Sequence, residues 1–160
     1  MLSGFGLPSR QKGMNIQLTD EESRNVAAYR RFHDAVMSRD ETVIGAAIDD
    51  LVASDATIAT PFPTEAAAPE TLKRLWAMLL HAFPDLDIRI DQVIAKGDVV
   101  VIRDVVTGTN LGDYQGRAPT GRRISYDEIF VLRFLDGQIV QTWGVVDTLA
   151  QLRQLGVIAA

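Results

Sequence analysis

Apolar residues recur at helical spacing in the first half of the chain and alternate with polar ones through much of the second. Val26, Tyr29, Phe32, His33 and Val36 fall at i, i+3, i+6, i+7 and i+10, one stripe of a helix. Thr19-Asp20-Glu21-Glu22 before that stripe forms a capping box, in which Thr19 and Glu22 satisfy each other's backbone N–H. Asp40 can cap a second helix running to about Val52, with Val43, Ala47, Ile48 and Leu51 facing in. Pro69 suits the first turn of a third helix, whose inward face is Leu72, Leu75, Trp76, Leu79, Leu80 and Phe83. Pro84 ends it.

After Pro84 the period changes to two. One short strand is expected earlier, at Asp55–Thr60 ahead of the third helix, and a longer one at Leu86–Ala95 follows Pro84. Lys96-Gly97-Asp98 turns the chain into a strand over Val99–Thr109. A strand over Arg123–Leu135 follows, then the hairpin turn Asp136-Gly137, then the last strand at Gln138–Val146. Asp147 can cap a closing helix to Leu155, with Gly156 at its C-terminal end. Three helices, a run of antiparallel strands and one more helix make an α+β plan. Val99–Val106 and Ile129–Phe134 are apolar on both faces, so both faces of the sheet must be covered. The helices can cover one face. A second subunit is expected on the other, giving a homodimer through the sheet.

Composition narrows the chemistry. A chain of 160 residues fits one domain. Met1–Gly13 is short and rich in Gly, Ser and Pro, without the apolar run of a signal peptide. Residues 1–18 are read as a flexible tail, 19–160 as the domain, and the cytoplasm as the expected location. With no cysteine, thiol chemistry and disulfides are excluded, and two histidines, His33 and His81, are too few for a multi-histidine metal site. No metal or cofactor is expected. A net charge of −5 argues against nucleic acid or an anionic membrane as partner. The loop glycines Gly112, Gly116 and Gly121 lack the spacing and the following helix of a phosphate-binding motif.

The segment Phe83–Gly156, with Pro119-Thr120-Gly121-Arg122-Arg123, Asp136-Gly137 and Gln154-Leu155-Gly156, resembles the SnoaL-like polyketide cyclases of the nuclear transport factor 2-like superfamily. The resemblance is looser over Val26–Phe62. It implies a cone-shaped, strongly curved antiparallel or mixed sheet. Three N-terminal helices pack on that sheet, a short helix closes the chain, and the cone holds a pocket for a hydrophobic, oxygenated small molecule. It also implies cofactor-free acid/base chemistry of the aldol-cyclisation type. The fold hosts other chemistries and pure binding modules, so it does not settle function.

Three family positions are changed in this chain. The general acid/base aspartate matches Gly144, a histidine on the preceding strand matches Phe130, and a further histidine matches Asn110. Glycine and phenylalanine cannot move protons. Since the position of Phe130 faces the pocket in the family, strand alternation places Glu128 and Tyr126 there too. By the same reckoning from Asn110, Asp104 points inward. Asp104 and Glu128 are therefore the candidate acid/base residues, with His33 on the first helix. The alternatives are that Asp104 pairs with Arg103, Arg122 or Arg123, or is turned outward by a bulge, and that His33 is a hydrogen-bonded core residue. Tyr29, Phe62, Trp76, Leu80, Phe83, Asn110, Tyr126, Phe130 and Trp143 are the candidate ligand-contacting residues. A non-catalytic binding module, or a relative assisting polyketide hydroxylation, is the alternative function.

Overall fold

A computed structural model describes residues 17–59 and 67–159. In chain order it contains α1 (Asp20–Met37), α2 (Glu41–Leu51), β1 (Val52–Ile58), α3 (Ala68–Ala82), β2 (Asp87–Lys96), β3 (Val99–Thr109), β4 (Arg123–Leu135), β5 (Gln138–Val146) and α4 (Thr148–Leu155). Residues 1–16 of the expected tail and the Pro61-Phe62 segment lie outside the described residues.

Local signals set the element boundaries. The capping box forms as expected: the Thr19 N–H donates to Glu22 Oε2 at 2.8 Å and the Glu22 N–H to Thr19 Oγ1 at 3.2 Å. The same carboxylate has a second role, since its Oε1 accepts the N–H of Gly97 at 3.0 Å. Glu22 is thereby buried and ties the start of α1 to the β2–β3 turn, 75 residues away. Asp40 Oδ1 caps α2 by accepting from Thr42 and Val43, and Asp147 Oδ1 caps α4 by accepting from Ala150. At the β4–β5 hairpin Asp136 (φ 50°) and Gly137 (φ 83°) both sit in the left-handed region that a tight turn of this hand requires.

The strands form one mixed five-stranded sheet in the order β1-β5-β4-β3-β2. β2 to β5 are joined antiparallel, and β1 runs parallel to β5. Two expectations are corrected. β1 starts at Val52 rather than Asp55, because Val52 pairs with Ile139 and both are buried in the core. Val43 is 45% exposed, and Ile44 takes its place inside at 2%. That moves the phase of α2 by one residue and leaves Ile48 and Leu51 buried as expected.

Helices cover one face of the sheet. The core there includes Ile44, Ile48, Phe83, Val100, Ile102, Val106 and Ile124. Full burial of an aliphatic or phenylalanine side chain contributes roughly 1.5–3 kcal/mol. The other face carries Ile94, Ile129, Trp143 and Val145, each exposed. Along it, Ile94 pairs with Val101, Val101 with Val131, and Val131 with Trp143, an apolar row across four strands. Among the described residues, no helix is long and apolar enough to cross a membrane.

Candidate functional site

Strand register brings the two acids together. Asp104 on β3 and Glu128 on β4 are direct partners in the antiparallel ladder. Directly opposite residues have Cβ atoms about 4.5–5.5 Å apart and point to the same face. That face is the helix-covered one, because the β3 residues Val100, Ile102, Asp104 and Val106 are buried while Arg103 between them is exposed. The row continues to Ile90 on β2 and Val146 on β5. Two carboxyls thus sit mid-row between apolar ends.

Among the described residues neither acid is paired with an arginine. Arg103 reaches across the outer face to Asp91 and Asp127, and Arg123 to Asp85. Asp104 Oδ2 instead accepts the hydroxyl of Tyr29 at 2.7 Å. Its Oδ1 is buried and has no hydrogen-bond partner among the described residues. Glu128 is half-buried, and its carboxyl makes no hydrogen bond among the described residues.

These surroundings set the protonation. Burial raises the Asp104 carboxyl, while the Tyr29 hydrogen bond and His33 pull it back. Burial pushes Glu128 up to about 8, and the charge on Asp104 adds to the rise. Burial and the neighbouring acid both work against a charge on Glu128, so the two carboxyls do not readily carry two charges at once. Burial raises the Tyr29 and Tyr126 phenols, helped by the charges on Asp104 and Glu128 respectively, so both remain hydroxyl donors.

Gly144, expected from the resemblance to match the family's acid, is a sterically closed position. Gly144 is the ladder partner of Phe130. A Cβ on Gly144 would lie 2.3 Å from Phe130 Cδ1 and 2.8 Å from the Ile129 carbonyl oxygen. Phe130 therefore occupies the space over Gly144, and the two changes read in the sequence are one packing unit.

Other expected residues are distributed differently. Tyr29, Leu80, Phe83 and Tyr126 are buried, and Trp76 is half-buried with its ring edge-on to Phe32 at 5.9 Å. His33 lies 6.4 Å from the Tyr29 ring, but its Nε2 meets the Ile88 carbonyl oxygen at 2.7 Å and its Nδ1 faces Asp34 at 3.6 Å. Its nitrogens are thus committed to the sheet edge and the surface. Asn110 is buried, and its amide is spent on its own loop: Nδ2 donates to the Gly112 carbonyl at 2.8 Å, and Oδ1 accepts the Thr120 N–H at 2.8 Å. Trp143 does not wall the interior. It is 54% exposed on the outer face, because its strand phase is opposite to that of Gly144. Phe62 lies outside the described residues.

Two interior residues were missed. Tyr114 is buried in the 110–122 loop, edge-on to Phe83 at 5.2 Å, and its hydroxyl donates to Gln151 Oε1 of α4 at 3.3 Å. Its signal was a lone aromatic bracketed by Gly112 and Gly116 in an otherwise polar loop. Gln151 carried no such signal. A surface cleft of about 470 Å³ between α1 and β2, lined by Arg30, His33, Asp34 and Arg89 among others, does not include Asp104 or Glu128.

Comparison with known proteins gives one answer. The family model described as SnoaL-like polyketide cyclase matches residues 27–155. The aklanonic acid methyl ester cyclase AcmA of Streptomyces galilaeus is 39% identical over 61 residues, which are 38% of this chain and 42% of that protein. The match thus spans less than half the length of that relative. The crystal structure of AclR, a proposed hydroxylase from Streptomyces galilaeus, superposes with TM-score 0.74 at 27% identity, over 87% of this chain and 85% of that one. A SnoaL-like polyketide cyclase structure from Jannaschia sp. CCS1 superposes with TM-score 0.79 at 20% identity, over 89% and 98%, and shows the same fold.

Proposed function

Because the chain belongs to the SnoaL-like polyketide cyclase family, we propose that it binds a hydrophobic, oxygenated small molecule against the helix-covered face of its sheet. It moves a proton there without a cofactor, in an aldol-type ring closure or a related step. One observation carries this reading: Asp104 and Glu128 stand directly opposite each other on that face, with no salt bridge to either among the described residues. Like acids placed opposite each other destabilise a sheet unless one keeps its proton. Two such acids favour sharing one proton, one as carboxylate and one as carboxylic acid, which is what acid/base chemistry needs. The pair stands one row away from the family's Gly144 position.

The test is turnover of an anthracycline-precursor methyl ester by the wild type and by Asp104→Asn and Glu128→Gln. A positioned acid or base contributes about 10²–10⁴-fold, and each variant should lose a rate factor of that order. Turnover unchanged in both would sink the proposal. A second reading, a binding module or an accessory to hydroxylation, draws support from the lost acid at Gly144 and from the likeness to AclR. It predicts ligand binding without turnover. In either case we propose that a second copy of this chain covers the apolar row Ile94–Val101–Val131–Trp143.

A further inference from the structure

The inner face carries two kinds of free polar group in neighbouring rows. Asp104 is 3% exposed, with one oxygen held by Tyr29 and the other without a hydrogen-bond partner among the described residues. Burying an acceptor without a partner costs free energy that a ligand's donor recovers. On β4, Glu128 and Tyr126 lie two residues apart and point to the same face. Among the described residues neither the Tyr126 hydroxyl nor the Glu128 carboxyl makes a hydrogen bond. Residues two apart on a strand have Cα atoms about 7 Å apart, a gap that two long side chains can close on one atom. The Phe130 ring, packed over Gly144 in the next row, gives the acids an aromatic neighbour.

We propose that this face divides the reaction between two stations: Asp104, steadied by Tyr29, takes the proton from carbon, and Glu128 with Tyr126 holds the oxygen that gains charge. The matching substrate class is an enolisable ketone or ester on a planar apolar frame. The assignment rests on the acid/base reading above. In the step, the free oxygen of the Asp104 carboxylate accepts a proton from the carbon next to a carbonyl. The C–H electron pair becomes the new C=C bond, and the carbonyl π pair moves onto oxygen. That oxygen receives hydrogen bonds from the Glu128 and Tyr126 hydroxyls, which keep their protons. The enolate's C=C pair then forms a C–C bond to a second carbonyl carbon of the same substrate as the first carbonyl re-forms, that second carbonyl's π pair moves onto its oxygen, and this oxygen takes the proton back from Asp104. No electron acceptor or donor enters, and the protein ends as it began. Donors aimed at a developing oxyanion in an apolar site are among the strongest contributions to catalysis.

A phenol whose ionised form imitates the enolate tests the assignment without turnover. We use 2-naphthol, whose fluorescence distinguishes its neutral and ionised forms. The wild type should bind it with an enlarged ionised fraction. Tyr126→Phe and Glu128→Leu should each weaken binding about 10–100-fold, the range for losing one hydrogen bond to a charged oxygen. Asp104→Asn should leave binding unchanged or tighten it, because a neighbouring negative charge is removed. Circular dichroism checks that each variant is folded. Absence of naphthol binding by the wild type, or an Asp104→Asn loss as large as the other two, overturns the assignment. If turnover falls in Asp104→Asn and Glu128→Gln while naphthol binding is equal in all variants, the acid/base reading stands and the division of roles fails.

Discussion

Replacing Glu128 by glutamine should make the folded protein less sensitive to alkali. The folded state holds this carboxyl protonated up to about 8, against an ordinary value of 4.5. A raised acid means that the folded chain binds more protons than the unfolded chain between those two values. Stability is therefore fullest below pH 4.5, declines as pH rises, and levels off above about 8. At about 1.4 kcal/mol per pH unit, the whole interval corresponds to roughly 4–5 kcal/mol. Glu128 is half-buried, and solvent screening of its exposed part reduces the expected loss to roughly 2 kcal/mol. Glutamine does not titrate, so the variant escapes this decline. The assay is urea unfolding of both proteins at pH 5 and pH 9, with the two differences subtracted so that any pH-independent cost of the amide cancels. The variant should gain about 2 kcal/mol relative to wild type between the two pH values, seen in thermal melts as roughly 4–8 °C. Parallel stability curves for the two proteins would refute the reasoning, because they would mean that Glu128 titrates like an exposed acid.

Placing an acid at this position by Gly144→Asp should destabilise the fold by about 1–3 kcal/mol, since its Cβ meets the Phe130 ring and the Ile129 carbonyl. Adding Phe130→Ala should recover only part of that, because the carbonyl contact remains; a freely tolerated Gly144→Asp in chemical denaturation would refute the packing account. The wild type should sediment as a dimer, and Trp143→Arg with Val145→Arg should give folded monomers; a monomeric wild type at micromolar concentration would show that the outer face is left open. Glu22 is held below its usual range first by the Thr19 backbone N–H and then by that of Gly97, so the stability it contributes is present at neutral pH and lost as pH falls through its folded value. Glu22→Gln should accordingly unfold more readily at neutral pH and lose less on acidification, as measured by thermal melts across pH 3–7.

Sequence alone determined most elements of this protein, because their signals are local. The Thr19–Glu22 box, the Asp40 and Asp147 caps, Pro84 and the Asp136-Gly137 turn act within a few residues of themselves, and the strand bounds over Val99–Thr109, Arg123–Leu135 and Gln138–Val146 follow from period and punctuation. The inward direction of Asp104 and Glu128 was legible for the same reason, since alternation along a strand carries a side chain's face from any one anchored position. Register is not local. That Asp104 meets Glu128 rather than a neighbour two residues away, and that Phe130 meets Gly144, depends on which residues of different strands are opposed, and only the assembled sheet decides it. The same holds for side chains with more than one possible partner. His33 turned its nitrogens to Ile88 and Asp34, Asn110 spent its amide on its own loop, and Trp143 went to the outer face, because the competing acceptors and the phase of β5 come from segments distant in sequence. Glu22 joins the two cases. Its cap was readable from four consecutive residues, while the second bond from the same carboxylate, to Gly97, existed only once the chain had folded.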